Sequence, residues 1–216
     1  NTDFAYDAMD HVGRVEFQPQ PFVVKADAKW NNFAEFVADC KAAPSTLKVA
    51  NSGTGSATHA AAIQLMDAAG CKVVHLPKGI KGRNKSVLNG EADAMIAPLT
   101  GAVNLTNAGK LKILVMPTAA RSPVFPDVPT AKEAGFDVSL DLFRGLSVAP
   151  NTPDDVKAQL ADAMAKAANS PEFQKLAKAK GFTVAPLGHA AFEALLVDEN
   201  AKVKAIFASA GLLKTK

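Results

Sequence analysis

Residues 48–59 read Lys48-Val49-Ala50-Asn51-Ser52-Gly53-Thr54-Gly55-Ser56-Ala57-Thr58-His59, and an alanine-rich run continues from there to Gly70. The apolar start predicts a strand, the glycines and small hydroxyl residues predict a tight loop, and the alanines predict a helix. In that order, backbone N–H groups and hydroxyls collect at the positive end of a helix dipole. The stretch therefore predicts an anion-binding loop, although a simply capped helix start explains the same residues.

The rest of the chain repeats this alternation of strands and helices. The apolar and β-branched runs predict strands at 22–25, 47–50, 73–76, 93–97, 111–116 and 182–185, with strand-like runs in 138–148. The helical spacing and cap residues predict helices at 32–40, 57–69, 81–88, 130–135, 153–168, 171–181 and 190–210. Such an order is typical of an α/β fold with a mainly parallel sheet and helices on both faces.

Composition narrows the class of protein. With 216 residues the chain can bury a substantial core, as one large domain or as two lobes. A net charge of +3 without basic stripes gives no reason to expect nucleic acid as a partner. No apolar run is long enough to span a membrane, so direct membrane insertion is not expected. The chain begins with Asn1 and carries no signal peptide, which is typical of a processed or excised chain.

The residues with reactive side chains form no recognisable catalytic or metal motif. Cys40 and Cys71 are either buried free thiols or one disulfide, and their spacing fits no zinc site. The four histidines are scattered, and neither a Gly-x-Ser-x-Gly elbow nor a phosphate-binding Walker sequence is present. We therefore expect no enzyme activity, no catalytic residues, no metal and no cofactor.

Four further blocks follow in a fixed order: Arg121-Ser122-Pro123, Pro126-Asp127-Val128-Pro129-Thr130, Glu133-Ala134-Gly135 and Val148-Ala149-Pro150-Asn151-Thr152-Pro153. With the loop at 52–59 they resemble the Bug (TctC-like) family, the periplasmic solute-binding receptors of tripartite tricarboxylate transporters. The resemblance extends from about Phe4 to Leu213.

The resemblance implies a type II periplasmic-binding-protein-like α/β fold, with two lobes of mainly parallel sheets joined by crossing strands. By that comparison residues 1–20 are a lead-in from the first lobe, 21–117 are the complete second lobe, and 118–216 are the C-terminal part of the first lobe. The family's first lobe also has an N-terminal strand–loop–helix series with a glycine-rich loop. That series has no counterpart here, so the resemblance implies a fragment or a chain without its first part.

The resemblance also implies a ligand site. By position, Ser52, Gly53, Thr54, Gly55, Ser56 and Thr58 would bind a ligand carboxylate through amides and hydroxyls. His59 is either an added donor or a packed, capping residue. Ala97 stands where the family commonly has an acidic residue. Phe143 matches an aromatic wall, and Arg144 either clamps a second carboxylate or lies on the surface.

A cluster of basic residues lies between the first and second of the predicted β-strand segments that follow the loop. Its members are Lys78, Lys81, Arg83 and Lys85. The cluster is compatible with the steering of anions and equally with a solvated helix face.

Taken together, the resemblance implies an exported, periplasmic receptor that captures a small organic acid, either a di- or tricarboxylate or an aromatic carboxylate. Its partners would then be the membrane transporter subunits, reached by closure of the lobes around the ligand. Two other interpretations stay open. One is the effector-sensing domain of a bacterial transcription regulator, which shares this architecture. The other is a fragment or scaffold that binds no ligand and exposes apolar sheet edges.

Overall fold

A computed structural model describes residues 6–213 of the chain, and within them two compact units. The smaller unit comprises residues 6–17 and 143–205, and the larger unit comprises residues 18–142 and 206–213. The segment 118–142, which the family comparison groups with the first lobe, falls in the larger unit. Among the described residues, no helix combines the length and the apolar character needed to cross a membrane.

The described residues contain eight strands and seven α-helices, preceded by a short 3₁₀ turn at Tyr6–Ala8. The strands are β1 (Asp10–Gln18), β2 (Phe22–Lys25), β3 (Lys48–Asn51), β4 (Val74–Pro77), β5 (Ala94–Ile96), β6 (Leu111–Val115), β7 (Leu142–Val148) and β8 (Thr183–Gly188). The helices are α1 (Phe33–Ala42), α2 (Ala57–Ala68), α3 (Gly79–Leu88), α4 (Leu99–Asn107), α5 (Asp154–Ala168), α6 (Pro171–Lys180) and α7 (His189–Ser209).

The larger unit is built on a five-stranded sheet in the order β4-β3-β5-β2-β6. The predicted α/β fold is confirmed, but this sheet is mixed rather than mainly parallel. Strand β3 pairs in parallel with β4 and β5, whereas β2 is antiparallel to both of its neighbours, β5 and β6. A helix between two consecutive strands favours their parallel pairing. It does not determine the direction of a strand such as β2, which lies in the sheet between two strands that come later in the chain.

The core of the larger unit lies around β2. Its residues Phe22, Val23 and Val24 are fully buried, as expected of a strand covered on both faces. Phe22 packs edge-on against Phe33 and Phe36 of α1, with ring centroids 5.1 and 4.7 Å apart. Each such ring stabilises the fold by about 1.5–3 kcal/mol through burial. The sheet is therefore a rigid support for the loops at its ends.

A disulfide joins Cys40, near the end of α1, to Cys71, just after α2. The two Cα atoms are 5.7 Å apart, within the usual range for the bond. Both cysteines are buried. Of the two alternatives that the sequence left open, the structure has the disulfide, which closes a loop with a sequence separation of 31.

The smaller unit has a three-stranded sheet in the order β7-β1-β8, in which β1 and β8 are antiparallel. Helices α5 and α6 and most of α7 belong to it, while the last residues of α7 belong to the larger unit. The sequence did not predict β1. Its residues Asp10, His11, Arg14 and Glu16 are charged or polar and interrupt the apolar pattern of a strand, although His11 and Glu16 are buried.

Helix α4 was not predicted either. Its sequence contains Gly101 and several β-branched or polar residues that favour helices weakly. The helix forms because Leu99, Ala102 and Val103 are buried on one face against the sheet. Tertiary packing therefore outweighs local propensity here.

The short helix predicted for 130–135 is wrong, since Thr130 forms a β-bridge with Met116 and residues 131–135 form turns. The Thr130 amide donates to Glu133 Oε2 at 2.8 Å and the Glu133 amide donates to Thr130 Oγ1 at 3.1 Å, as in a helix cap. The turn then ends at Gly135, whose φ is +92°. Arg121 Nε donates to both Glu133 carboxylate oxygens, at 3.0 and 2.9 Å. The family-like block around Arg121 is thus an internal clamp of the larger unit.

Candidate ligand-binding loop

The loop Ser52–His59, which we call the anion loop, connects β3 to α2 at one edge of the larger unit's sheet. Strand β3 is flanked by the parallel strands β4 and β5, so all three strands end at this edge. In open α/β sheets, ligands bind outside the carboxyl ends of such strands. The position of the loop is therefore that of a binding site.

The internal hydrogen bonds of the loop fix its shape. The Ser52 amide donates to Thr58 Oγ1 at 2.8 Å, and the Gly53 amide donates to Asn51 Oδ1 at 2.9 Å. The Gly55 amide donates to His59 Nδ1 at 3.2 Å. Gly53 and Gly55 have φ values of +143° and +78°, a region that favours glycine over other residues. These glycines let the loop fold back over the start of α2.

Several donors of the loop remain open. Ser56 caps α2, and its Oγ accepts the His59 amide at 3.2 Å. In residues 6–213 the N–H groups of Thr54, Ala57 and Thr58 donate no hydrogen bond. The last two belong to the first turn of the helix, where the dipole favours an anion. These three N–H groups are therefore available as donors to a small anionic group at the start of α2.

Arg83 of α3 lies against this loop. Its Nη1 donates to Ser52 Oγ, and only 4% of the residue is exposed. No carboxylate of the described residues forms an ion pair with it, and its Nε has no hydrogen-bond partner there. Burial lowers the pKa of Arg83, yet a guanidinium stays protonated in proteins. An ion that is buried without a counter-ion is unfavourable by several kcal/mol.

For Arg83, the interpretation as part of a solvated helix face is therefore wrong. Its neighbours Lys81 and Lys85 are exposed, as that interpretation predicts. Arg83 differs because it lies three and four residues before the buried Ser86 and Val87, on the face of α3 that packs inward. This spacing was visible in the sequence and is the signal that could have identified Arg83.

His59 is a packed residue in this structure. Its Nδ1 accepts the Gly55 amide, which places the ring proton on Nε2. Burial lowers the pKa of His59, and the ring stacks edge-on with His75 at a centroid distance of 4.9 Å. Burial and the nearby His59 lower the pKa of His75 to about 4. Both rings are therefore neutral at pH 7, and the loop amide rather than a serine hydroxyl occupies His59 Nδ1.

The remaining predicted site residues, Ala97, Phe143 and Arg144, are packed or paired within their own units. Ala97 follows β5 and is fully buried, with its side chain in the core cluster around Met95. Phe143 and Arg144 belong to β7 in the smaller unit. There Phe143 packs edge-on against Phe192 at 5.9 Å, and Arg144 Nη1 donates to Glu16 Oε1. Glu16 is buried, and this burial raises its pKa although Arg144 opposes the shift.

Comparison with solved structures defines the class of protein. A TctC solute-binding protein from Polaromonas is 29% identical with a TM-score of 0.77, over 96% of this chain and 72% of that one. The periplasmic binding protein BugD is 25% identical with a TM-score of 0.87, over 96% and 71% of the two chains. MatC from Rhodopseudomonas palustris, solved with bound malate, has the same fold at 24% identity and a TM-score of 0.80, over 92% and 68%. The fold is that of the periplasmic binding proteins.

The family follows from the sequence match. The TctC family, described as the tripartite tricarboxylate transporter family receptor, matches residues 1–212. The chain belongs to this family. A UPF0065 protein of Agrobacterium vitis is 28% identical over 162 residues, which are 74% of this chain and 47% of the relative. The chain thus spans about half the length of these first curated relatives.

Proposed function

We propose that this chain is the ligand-binding part of an extracytoplasmic receptor that captures a small organic carboxylate through the anion loop. The observation that carries the proposal is the set of open N–H groups of Thr54, Ala57 and Thr58 at the start of α2. Hydrogen bonds from such groups to an ionised carboxylate are shorter and stronger than those to a neutral acceptor.

The hydroxyls of the loop complete the same site. Ser52 and Ser56 are half-buried beside the open amides, and Thr58 Oγ1 already fixes the Ser52 amide. His59 Nδ1 accepts the Gly55 amide and so fixes the position of Gly55 in the loop. In this arrangement the loop acts as a binding site, since the described contacts include no hydrogen bond between the His59 ring and either serine hydroxyl.

Two further observations support a carboxylate as the ligand and the periplasm as the location of the protein. MatC, which shares the fold, holds malate, and the family is one of transporter receptors. A buried disulfide is typical of proteins that fold in oxidising compartments such as the periplasm. The ligand is accordingly a di- or tricarboxylate or an aromatic acid, and the partners are the membrane subunits of a tripartite transporter. Contacts of Phe143 and Arg144 with the ligand stay predictions.

Isothermal titration calorimetry tests this proposal. The purified protein is freed of retained ligand and titrated with malate, with other aliphatic di- and tricarboxylates and with aromatic carboxylates. Each acid is paired with its neutral amide. We expect at least one acid to bind, and its amide to bind at least about tenfold more weakly, because the amide cannot form charge-assisted bonds. Absence of binding across all acids, or equal affinity for an acid and its amide, would overturn the proposal.

A further inference from the structure

The anion loop contains more than backbone donors, because a buried cation contacts it from the protein side. Arg83 Nη1 donates to Ser52 Oγ, and the residue is 4% exposed. Since Ser52 Oγ accepts this bond, its own hydrogen is free to point elsewhere. No acceptor among the described residues takes that hydrogen. The Ser52 hydroxyl is therefore a fourth open donor beside the amides of Thr54, Ala57 and Thr58.

Among residues 6–213, no protein group neutralises Arg83. Its Nε is buried without a hydrogen-bond partner, and none of the ion pairs in residues 6–213 includes it. The neighbouring helix makes room for the guanidinium, because a Cβ at Gly101 would lie 3.0 Å from Arg83 Nη2. A glycine within helix α4 is unfavourable for the helix, so this space has a cost in stability.

We infer that Arg83 is the charge-selecting residue of the anion loop, which orients the Ser52 hydroxyl toward the ligand and receives its counter-ion only when a carboxylate binds. The inference rests on the proposed function of the loop. It adds that the site prefers an ionised carboxylate over a neutral isostere because of a fixed protein charge, and not because of backbone amides alone. Arg83 acts through Ser52 and is a positioning residue.

Acetate and acetamide are suitable probes, since acetate is the smallest carboxylate and acetamide is its neutral counterpart. Their binding is measured from the rise in melting temperature at constant ionic strength, for the wild type and three variants. Arg83→Met removes the cation and keeps much of the volume, and Arg83→Lys keeps the charge without the planar fork. Lys85→Met is the matched control, because it removes one positive charge from the exposed side of the same helix.

The expected pattern has two parts. Acetate stabilises the wild type and Lys85→Met more than acetamide does, whereas Arg83→Met binds acetate about tenfold more weakly and no longer distinguishes the two probes. Arg83→Lys restores the preference for acetate with reduced affinity. Without any probe, Arg83→Met melts at the same temperature as the wild type or higher, because an uncompensated buried charge is gone.

The failures are distinguishable. If the wild type binds acetate and Arg83→Met binds it equally well, the inference is wrong and the proposed function stands. If the wild type does not respond to acetate, the inference is overturned, whereas the proposed function fails only if the larger acids of the calorimetric titrations do not bind either. A ligand-free melting temperature of Arg83→Met well below that of the wild type would also overturn the inference, since Arg83 would then be a structural residue.

Discussion

Replacement of Ala57 by proline is expected to weaken carboxylate binding by about 10- to 100-fold while leaving the melting temperature unchanged. The change removes the open N–H of Ala57, and a hydrogen bond to a charged group contributes about 1.5–3 kcal/mol. Ala57 is the first residue of α2, the position at which a helix tolerates proline. The preceding Ser56 has φ −77° and ψ 162°, which suits a residue before proline.

The chain already contains the backbone geometry that this variant needs. Helix α6 begins with Pro171, after the cap Ser170, whose φ is −68° and ψ is 144°. Both cap serines accept an amide three residues later at 3.2 Å. Ala57→Ser, which keeps the N–H, is the matched control and should bind like the wild type. If calorimetry finds equal affinities for Ala57→Pro and Ala57→Ser, the Ala57 amide does not bind the carboxylate.

Loss of the disulfide is expected to have the largest effect on stability. The bond closes a loop with a sequence separation of 31, for which the chain-entropy relation gives about 3–4 kcal/mol. For a chain of this size, that corresponds to a drop of roughly 6–16 °C in melting temperature. The double variant Cys40→Ala/Cys71→Ala removes the bond without introducing a buried polar group. Thermal unfolding followed by circular dichroism measures the difference.

Treatment with a reductant provides the control for this variant. The wild type unfolded and refolded in dithiothreitol should melt near the temperature of the double variant, because both lack the bond. The double variant itself should not respond to dithiothreitol. If the double variant is as stable as the oxidised wild type, the disulfide does not contribute to the stability of the fold, and the prediction is wrong.

Much of the larger unit could be predicted from the sequence, because its elements carry strong local signals. Strand β2 at Phe22–Lys25 is a short apolar run after a proline break, and it forms with the predicted bounds. Helix α2 begins at Ala57 as predicted, since Ser56 is a favoured cap and the alanines after it are good helix formers. The local pattern did not predict that β2 is antiparallel to its neighbours. The direction of a strand depends on the path of the chain through the whole unit.

The candidate site was predictable only in part, and for a similar reason. The anion loop is a local feature, so its residues could be named from the sequence of Ser52–His59 itself. The contact with Arg83 joins residues 31 positions apart and depends on how α3 packs. Likewise, the pairing of Arg144 with Glu16 spans 128 positions, and the polar sequence of β1 gave no sign of a strand there. Long-range partners of charged residues leave little trace in local pattern.

The central claim is that the open amides of the anion loop bind the carboxylate, and nuclear magnetic resonance tests it most directly. The ¹⁵N-labelled protein is titrated with the organic acid that binds most tightly in calorimetry, and the amide signals are followed to saturation. We predict that the amide protons of Thr54, Ala57 and Thr58 show the largest downfield shifts, because each gains a charge-assisted hydrogen bond. Unchanged signals for these three residues at saturation, with the largest shifts elsewhere, would contradict the account.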